Sequence, residues 1–317
     1  MTSVEPGPAD LSVIVTIVDA GPSLERCLAS LHAQSGSPSL EVLVPFDSTV
    51  PGIGPLQARF PDFRFVDLGV VLDGLIPQNA LEQHRFYDVR RSAGLRMAQG
   101  GLVAILEDRG VPAPDWAGTM IRLHRERPGF AAIGGAVENG VNRSLNWAAF
   151  ICDFGRYQPP VMDEDPEYVS DTNICYKREA LDSVREFWET RRFDEAQVNW
   201  ALRRSGRKLL LCDPPRTIQV REAMPASNML RERYHWGRNF GQSRVSGMNR
   251  QRRLVLILAT PLIPLVVFAR HCKRQFGKGH MGEFLAASPV LLVFLICWAA
   301  GECRGYLDGT PEERFRQ

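Results

Sequence analysis

The sequence predicts an α/β protein in which a mostly parallel sheet is flanked by helices, followed by a helical C-terminal region. Two observations lead to this class. Short β-branched runs alternate with segments of helical periodicity through about the first 220 residues, the order typical of sheets built from strand–helix–strand units. With 44% hydrophobic and 23% charged residues, the composition is that of an ordinary globular chain, which argues against extended disorder.

Strand and helix candidates alternate along the chain. The run LSVIVTIV at 11–18 is short and β-branched, which favours a strand buried on both faces. Residues 23–32 place apolar side chains at helical spacing, with Ser23 as the candidate N-cap. The same criteria predict strands at 40–44, 63–67, 101–106, 131–137 and 209–212, and helices at 89–98, 115–126, 178–190 and 194–205. Residues 138–168 are expected to be irregular, and Pro214-Pro215 is expected to end the last strand.

Acidic residues follow three of the predicted strands. Asp19 comes after the first strand, Asp47 after the second, and Glu107-Asp108 after the fourth. Ligands of open α/β sheets bind beyond the carboxyl ends of the strands, so these carboxylates predict a nucleotide or metal site. The alternative is that Asp simply favours the turns that follow strands.

The charge of the chain changes near residue 230. The net charge of +2 combines a net charge of −6 over residues 1–230 with one of +8 over residues 231–317. We therefore expect an acidic catalytic domain at 1–230 and a basic C-terminal region at 231–317. The basic and aromatic run at 231–253 precedes apolar stretches at 254–269 and 284–300, which favours an anionic membrane surface over nucleic acid as its partner.

The two apolar stretches leave the membrane topology open. Each is near the lower limit of a spanning helix, and Pro261, Pro264 and Pro289 interrupt them. If both crossed the bilayer, the four Lys and Arg residues between them, in RHCKRQFGKGH, would oppose the positive-inside tendency. Shallow insertion keeps every basic segment on one side, and burial in a soluble domain is the third alternative. No secretory signal is visible and the seven cysteines are scattered, so we expect reduced thiols and a catalytic domain on the cytosolic side of the cytoplasmic membrane.

Four segments resemble the family 2 glycosyltransferases. They are LSVIVTIVDAGPSLERCLASL, VRRSAGLRMAQGGLVAILEDRGVPAPDW, SDTNICYKREAL and FDEAQVNWALRRSGRKLLLCDPP, and together they span residues 11 to about 220 in the family's order. The resemblance implies the GT-A fold, a Rossmann-like fold of nucleotide-diphospho-sugar transferases. It also implies an inverting enzyme that moves a sugar from a nucleotide-diphosphate sugar to a hydroxyl of a lipid-linked or cell-envelope glycan acceptor, as in polysaccharide biosynthesis.

The resemblance assigns residues to the donor and to the acceptor. Asp19 and Asp47 would lie along the nucleotide, and Arg91 would approach the diphosphate, which suits its bidentate guanidinium. A basic segment that closes over the donor in the family corresponds here to Arg233, Trp236 and Arg238. Within SDTN, Asp171 and Asn173 would face the acceptor, although a capping role for Asp171 is equally open.

The acidic triplet departs from the family pattern. Where the family has Asp-x-Asp, this chain has Glu107, Asp108 and Arg109. In one interpretation Glu107 or Asp108 still binds Mg²⁺ or Mn²⁺; we favour it because two carboxylates beside a diphosphate would repel it without a cation. In another, Arg109 itself stabilises the leaving diphosphate. A third is that Arg109 points to solvent.

The candidate catalytic base lies in the last matching segment. An inverting transfer needs a carboxylate to take the proton from the acceptor hydroxyl. Counting back from Gly206 aligns Asp194 and Glu195 with the family's acidic pair, and Glu195 is preferred. Both could instead complement the N-terminal dipole of a helix. The altered triplet motivates the alternative of a catalytically degenerate membrane protein that binds a nucleotide sugar, and a soluble nucleotide-binding protein is a further alternative.

Overall fold

The computed structural model describes residues 9–36, 38–189, 193–221, 225–245 and 248–309. These residues form two compact units. The first comprises 9–78, 82–140 and 157–220, and the second 79–81, 141–156 and 221–309. The functional division expected at residue 230 stays a prediction.

An eight-stranded sheet forms the centre of the first unit, with the order β3-β2-β1-β4-β7-β6-β8-β5. Neighbouring strands from β3 to β4 are parallel, as are β6 and β8, whereas β7 runs antiparallel to both β4 and β6, and β5 runs antiparallel to β8. The strands are β1 (Leu11–Thr16), β2 (Leu40–Phe46), β3 (Arg64–Asp67), β4 (Leu102–Glu107), β5 (Gly110–Pro112), β6 (Phe130–Asn139), β7 (Asn173–Lys177) and β8 (Lys208–Gln219).

Helices flank this sheet and build the second unit. The first unit contains α1 (Pro22–His32), α2 (Gly54–Arg59), most of α3 (Ala80–Met97), α4 (Trp116–Glu126), α6 (Arg178–Asp182) and α7 (Glu195–Arg204). The second contains α5 (Ser144–Phe154), α8 (Ala226–Arg244), α9 (Arg250–Ala259), α10 (Ile263–Gln275) and α11 (Met281–Asp308). All six residues of β1 are buried, which explains its continuous apolar run.

The sheet is mixed, and this corrects the expectation of a mostly parallel one. The parallel arrangement is confirmed from β3 to β4, where strands and helices alternate as predicted. The exceptions are β5 and β7, whose segments were not predicted as strands. Strand β7 begins at Asn173, the last residue of the SDTN motif, and lies in the centre of the sheet.

Three local expectations are also wrong. Residues expected to be irregular contain helix α5, and the helix expected at 178–190 ends at Asp182, with a 3-10 turn following at Arg185–Phe187; its expected last residue, Thr190, lies outside the described residues. Strand β8 continues through Pro214-Pro215. The pairing of β6 with β8 jumps from Gly134–Leu211 to Ala136–Arg216, so the prolines fall in a bulge where their missing N–H groups are not needed.

The two apolar stretches form long helices in the second unit. Helices α9 and α10 follow one another across a 3-10 turn at Thr260–Leu262, and α11 extends over 28 residues. By length and composition both segments are able to cross a membrane. This is weak evidence of membrane association, because core helices of soluble proteins meet the same criterion.

Candidate active site

Arg91 forms the centre of a buried polar cluster at the carboxyl ends of β1 and β4. Its side chain is 1% exposed, and its Nη1 lies 2.6 Å from Asp171 Oδ2 and 3.5 Å from Asp88 Oδ1. Its Nη2 lies 3.6 Å from Glu107 Oε1, and its Nε donates to Thr16 Oγ1. Within the described residues neither terminal nitrogen has a hydrogen bond of good geometry. The guanidinium therefore keeps hydrogen-bonding capacity inside a cluster of carboxylates.

Asp171 and Glu195 form a carboxyl pair next to Arg91. The Asp171 N–H donates to Glu195 Oε2 at 2.9 Å, and the two carboxyl groups also hydrogen-bond to each other. Burial and the charge of Asp171 raise the pKa of Glu195 well above its usual range. Burial acts to raise the pKa of Asp171 as well, but Arg91 and the hydrogen bond from Glu195 hold it below its usual value. Burial and the mutual interaction of the two groups therefore push their pKa values apart, that of Glu195 upward and that of Asp171 downward.

Asp194 has a different environment from its neighbour. It is exposed, and its side chain accepts a hydrogen bond from the Gln197 N–H at 3.0 Å as the N-cap of α7. Capping accounts for an aspartate at this position. Of the two base candidates, only Glu195 is brought to Arg91 and Asp171 by the first turn of α7.

The acidic triplet begins at Glu107, the last residue of β4, and continues into the turn that follows. Glu107 Oε2 accepts a hydrogen bond from Gln219 Nε2 at 3.2 Å, and Asp108 Oδ2 accepts one from the Val18 N–H at 2.6 Å. Burial raises the pKa of both carboxyls, that of Asp108 to about 7, while the nearby Arg109 opposes the shift. Arg109 is only half exposed and interacts with both carboxyls, which favours a site role over a purely solvent-facing one.

The triplet does not have the form of a protein-held metal site. In the part of the chain that the structure describes, no group of three or more His, Cys, Asp and Glu side chains is arranged to hold a metal ion. The predicted ligands point to different partners, Asp108 to the backbone after β1 and Glu107 to Gln219 and Arg91. One or two carboxylates and the phosphates of a substrate can together hold a divalent cation, so metal binding by Glu107 or Asp108 stays a prediction.

Asp47 is the most deeply buried of the predicted donor-binding residues. Its Oδ2 accepts a hydrogen bond from Arg90 Nε at 2.7 Å, and both side chains are 0% exposed. Its Oδ1 accepts from the N–H and the hydroxyl of Thr49, and Arg90 also donates to the Ile17 carbonyl. Although burial acts to raise it, the pKa of Asp47 is held low by Arg90 and Thr49. The pair ties the ends of β1 and β2 to α3.

Asp19 and Asn173 differ in exposure. Asp19 is exposed after β1, and its Oδ1 accepts the Gly21 N–H at 2.7 Å. Asn173 is 1% exposed: its side-chain amide donates to the carbonyls of Ala136 and Pro215 and accepts from the indole N–H of Trp116. Asn173 thus links β6, β7 and β8 within the core. Donor contact by Asp19 and acceptor contact by Asn173 stay predictions.

Three predicted donor-binding residues lie in helix α8 of the second unit. Arg233 is buried, forms an ion pair with Asp153 and lies over the ring of Phe294. Arg238 Nη2 lies 2.7 Å from Asp308 Oδ2, and Trp236 is half-buried. Their proposed contact with the donor stays a prediction.

The sequence prediction missed several members of the cluster on α3. Asp88 pairs with Arg91, His84 lies 3.4 Å from Asp88, and Arg90 pairs with Asp47. The predicted helix began at residue 89, whereas α3 begins at Ala80. The spacing of His84, Asp88 and Arg91, at i, i+4 and i+7, places them on one helical face, and this signal was available in the sequence.

The comparison with solved structures supports the fold. The chain is similar to a mannosyltransferase from Pyrobaculum calidifontis in complex with GDP-Man and Mn²⁺, with a TM-score of 0.53 and 16% sequence identity. The match covers 93% of this chain and 87% of that one. No protein-family model and no curated protein sequence matches the chain. At this identity the likeness concerns the α/β architecture, and the GT-A assignment stays a prediction.

Proposed function

We propose that the chain is an inverting glycosyltransferase that moves a sugar from a nucleotide-diphosphate sugar to a hydroxyl of a lipid-linked or cell-envelope glycan acceptor. The observation that carries the proposal is the buried Arg91 cluster, which joins a basic group and a carboxyl pair at the sheet edge where α/β proteins bind ligands. The shared architecture with a mannosyltransferase supports the same activity class.

In this proposal Glu195 is the catalytic base. A general base works best when its pKa lies close to the working pH, and the raised pKa of Glu195 moves it in that direction. With its pKa raised, Glu195 must ionise before it acts as the base. Once ionised, Glu195 takes the proton of the acceptor hydroxyl as the oxygen attacks the anomeric carbon and the nucleoside diphosphate leaves.

Arg91 and Asp171 position the reacting groups. Arg91 holds Asp171 in its ionised form through the contact of 2.6 Å, and its buried guanidinium places positive charge at the ends of β1 and β4. Arg109, next to the buried Glu107 and Asp108, offers positive charge for the leaving diphosphate. Asp19, exposed at the end of β1, is available to the nucleotide.

A second candidate function is nucleotide-sugar binding without transfer. Arg109 occupies the third position of the triplet, and the side chain of Asp108 is engaged by the Val18 N–H. A chain that had lost transfer could retain these contacts and still bind the donor. Both candidate functions predict that the chain binds a nucleotide sugar, but only the first predicts that the sugar is transferred.

The test begins with donor binding and proceeds to turnover. The full-length protein is scanned by thermal shift against a panel of nucleotide sugars that includes GDP-Man, and each hit is assayed for radiolabel transfer into a membrane lipid extract, with and without chelator. Glu195→Gln should lower transfer by at least about 100-fold, the usual contribution of a general base, whereas the adjacent control Asp194→Asn should retain most activity. Binding without turnover would support the second candidate, and the absence of binding would contradict both.

A further inference from the structure

Helices α9 and α10 carry an apolar stripe that the second unit does not cover. Its side chains recur every three or four residues and are between 55% and 71% exposed: Leu254, Val255, Leu258, Leu262, Leu265 and Val266. This spacing places them on one helical face. An exposed apolar surface of this length marks an interaction site.

Helix α11 has a similar stripe on one face only. Leu285, Val293 and Ile296 are 63%, 46% and 56% exposed, and Ala286, Pro289 and Ala300 are exposed between and after them. The opposite face is buried along the helix through Phe284, Ala287, Leu291 and Phe294. The helix is therefore apolar all round in sequence, but only half of its surface is available to a partner.

The buried face of α11 packs closely on α8. A Cβ atom on Gly237 or Gly241 of α8 would overlap the backbone of Trp298 or Glu302 in α11, and one on Gly301 of α11 would overlap the carbonyl of Tyr234. Backbones approach this closely only where both helices present glycine. Helices α8 and α11 therefore run side by side as one body within the second unit.

The helices that cover α11 carry charges along the contact. Arg233 pairs with Asp153 of α5 and lies over Phe294 of α11. Further along, Arg244 Nη1 lies 3.2 Å from Glu302 Oε1 of α11. If α11 crossed a bilayer, the Arg233–Asp153 pair beside Phe294, within the apolar stretch 284–300, would lie in the hydrocarbon, where charged groups are strongly disfavoured. The packing therefore opposes a spanning α11.

Basic side chains frame the stripe of α9 and α10. Arg252 lies at its start, and Arg270, Lys273 and Arg274 lie at its end; all four are exposed. Helix α9 also contacts the end of α11 through Arg253, which donates to the Tyr306 carbonyl. Phe268 of α10 stacks on Phe284 near the start of α11, with ring centroids 5.9 Å apart. The two apolar segments thus form an antiparallel hairpin.

We propose that helices α9, α10 and α11 bind one face of a bilayer that contains anionic lipid, with their exposed stripes in the interface, and do not cross it. Apolar stripes bounded by Lys and Arg are typical of helices that lie in the plane of a membrane. The basic residues at both ends of the stripe then meet anionic headgroups on a single surface.

Topology is tested by protease access in sealed vesicles. A recognition sequence for a site-specific protease is inserted between Gly277 and Lys278, in the connection between α10 and α11, and in a second variant within the exposed turn at Pro51-Gly52 of the first unit. Cleavage at the second site shows on which side of the membrane the first unit lies. We expect both sites to be cut to the same extent in intact vesicles. If the first site is cut only after detergent is added while the second is cut before, the segments cross and the proposal is refuted.

The lipid partner is tested by flotation of the full-length protein with vesicles of phosphatidylglycerol and phosphatidylcholine or of phosphatidylcholine alone. Leu285→Gln should lower the partition coefficient roughly tenfold, whereas the matched control Ile76→Gln, at a residue 68% exposed in the first unit, should leave it unchanged. Removal of phosphatidylglycerol should also reduce flotation. Equal effects of the two variants, equal binding to both vesicle types, or self-association in place of flotation would refute the proposal. Neither measurement uses a nucleotide sugar, so failure here is distinguishable from failure of the proposed transfer.

Discussion

Replacement of Arg91 by methionine would remove a guanidinium from among the carboxylates of Asp88, Glu107 and Asp171. Methionine keeps much of the side-chain volume, so the change tests charge more than packing. Because Arg91 is 1% exposed, water cannot replace it as a partner. Breaking a buried ion pair by removing one member costs about 3–5 kcal/mol, and we expect a loss of this size in the free energy of unfolding near neutral pH.

The loss should depend on pH, and the direction follows from Asp171. In the native protein Arg91 and Glu195 hold its pKa below the usual value, so its stabilising contribution is present above the unfolded pKa and is lost as pH falls through the folded pKa. In the variant, burial and the neighbouring carboxyls raise the pKa of Asp171 instead. Stability of the variant should then decrease as pH rises from the unfolded pKa of Asp171 to its raised folded pKa, so the difference from the native protein grows over that range.

The measurement is urea unfolding at several pH values, followed by the fluorescence of Trp116 and Trp188, which are buried in the first unit. Arg122→Met is the matched control, since its pair with Glu126 has both side chains 52% exposed and exposed pairs of this spacing contribute only about 0.3–0.5 kcal/mol. A loss for Arg91→Met that is as small as that of the control, or that is the same at all pH values, would refute the charge balance inferred for the cluster.

Three further predictions concern other parts of the chain. Asp47→Asn should destabilise the first unit by about 3–5 kcal/mol because it removes the counter-charge of the buried Arg90 guanidinium, whereas Asp19→Asn at an exposed turn should not, and equal unfolding midpoints would contradict this. Gly301→Val should destabilise the second unit, since its Cβ overlaps the Tyr234 carbonyl, while Gly282→Val has open space around it; comparable midpoints would show that the helices do not pack so closely. Calorimetric titration tests the predicted metal site: Mn²⁺ should bind in the presence of a nucleotide sugar and Asp108→Asn should weaken that binding, and no binding with or without the sugar nucleotide would contradict it.

The parallel part of the fold was predictable because the residue pattern of each strand and helix agrees with its burial in the structure. Strand β1 is apolar throughout and buried throughout, and α1 begins and ends within one residue of its predicted bounds. The pairing of β7 was not predictable in the same way. Its residues Asn173–Lys177 join β4 and β6 through contacts distant in sequence, and local periodicity carries no information on such pairing. The prolines of β8 misled the prediction because the bulge that accommodates them depends on β6.

The candidate site was predictable in its residue types but not in its partners. Arg91, Asp171 and Glu195 were all named from the sequence, and the structure brings them together. The sequence did not indicate that Arg91 would be buried among carboxylates or that Asp47 would pair with Arg90. These pairings depend on how α3 packs on the sheet. The sequence of a helix rich in charged residues does not show which of its faces is buried and which is solvated.

The opposite pKa shifts of Asp171 and Glu195 lead to a last prediction, on the pH dependence of transfer. If Glu195 is the base, kcat/KM should rise with pH as the carboxyl pair loses its proton, with an apparent pKa above the usual range of glutamate. Asp171→Asn removes the negative charge that raises the pKa of Glu195, and it leaves Arg91 next to the remaining carboxylate. Both changes favour the ionised form of Glu195. The acidic limb of the plot of kcat/KM against pH should therefore move to lower pH, even where the maximal rate falls. A purely structural role of Asp171 would lower the rate without moving the limb. A limb that stays in place, or that moves to higher pH, would show that a group other than this pair controls the reaction.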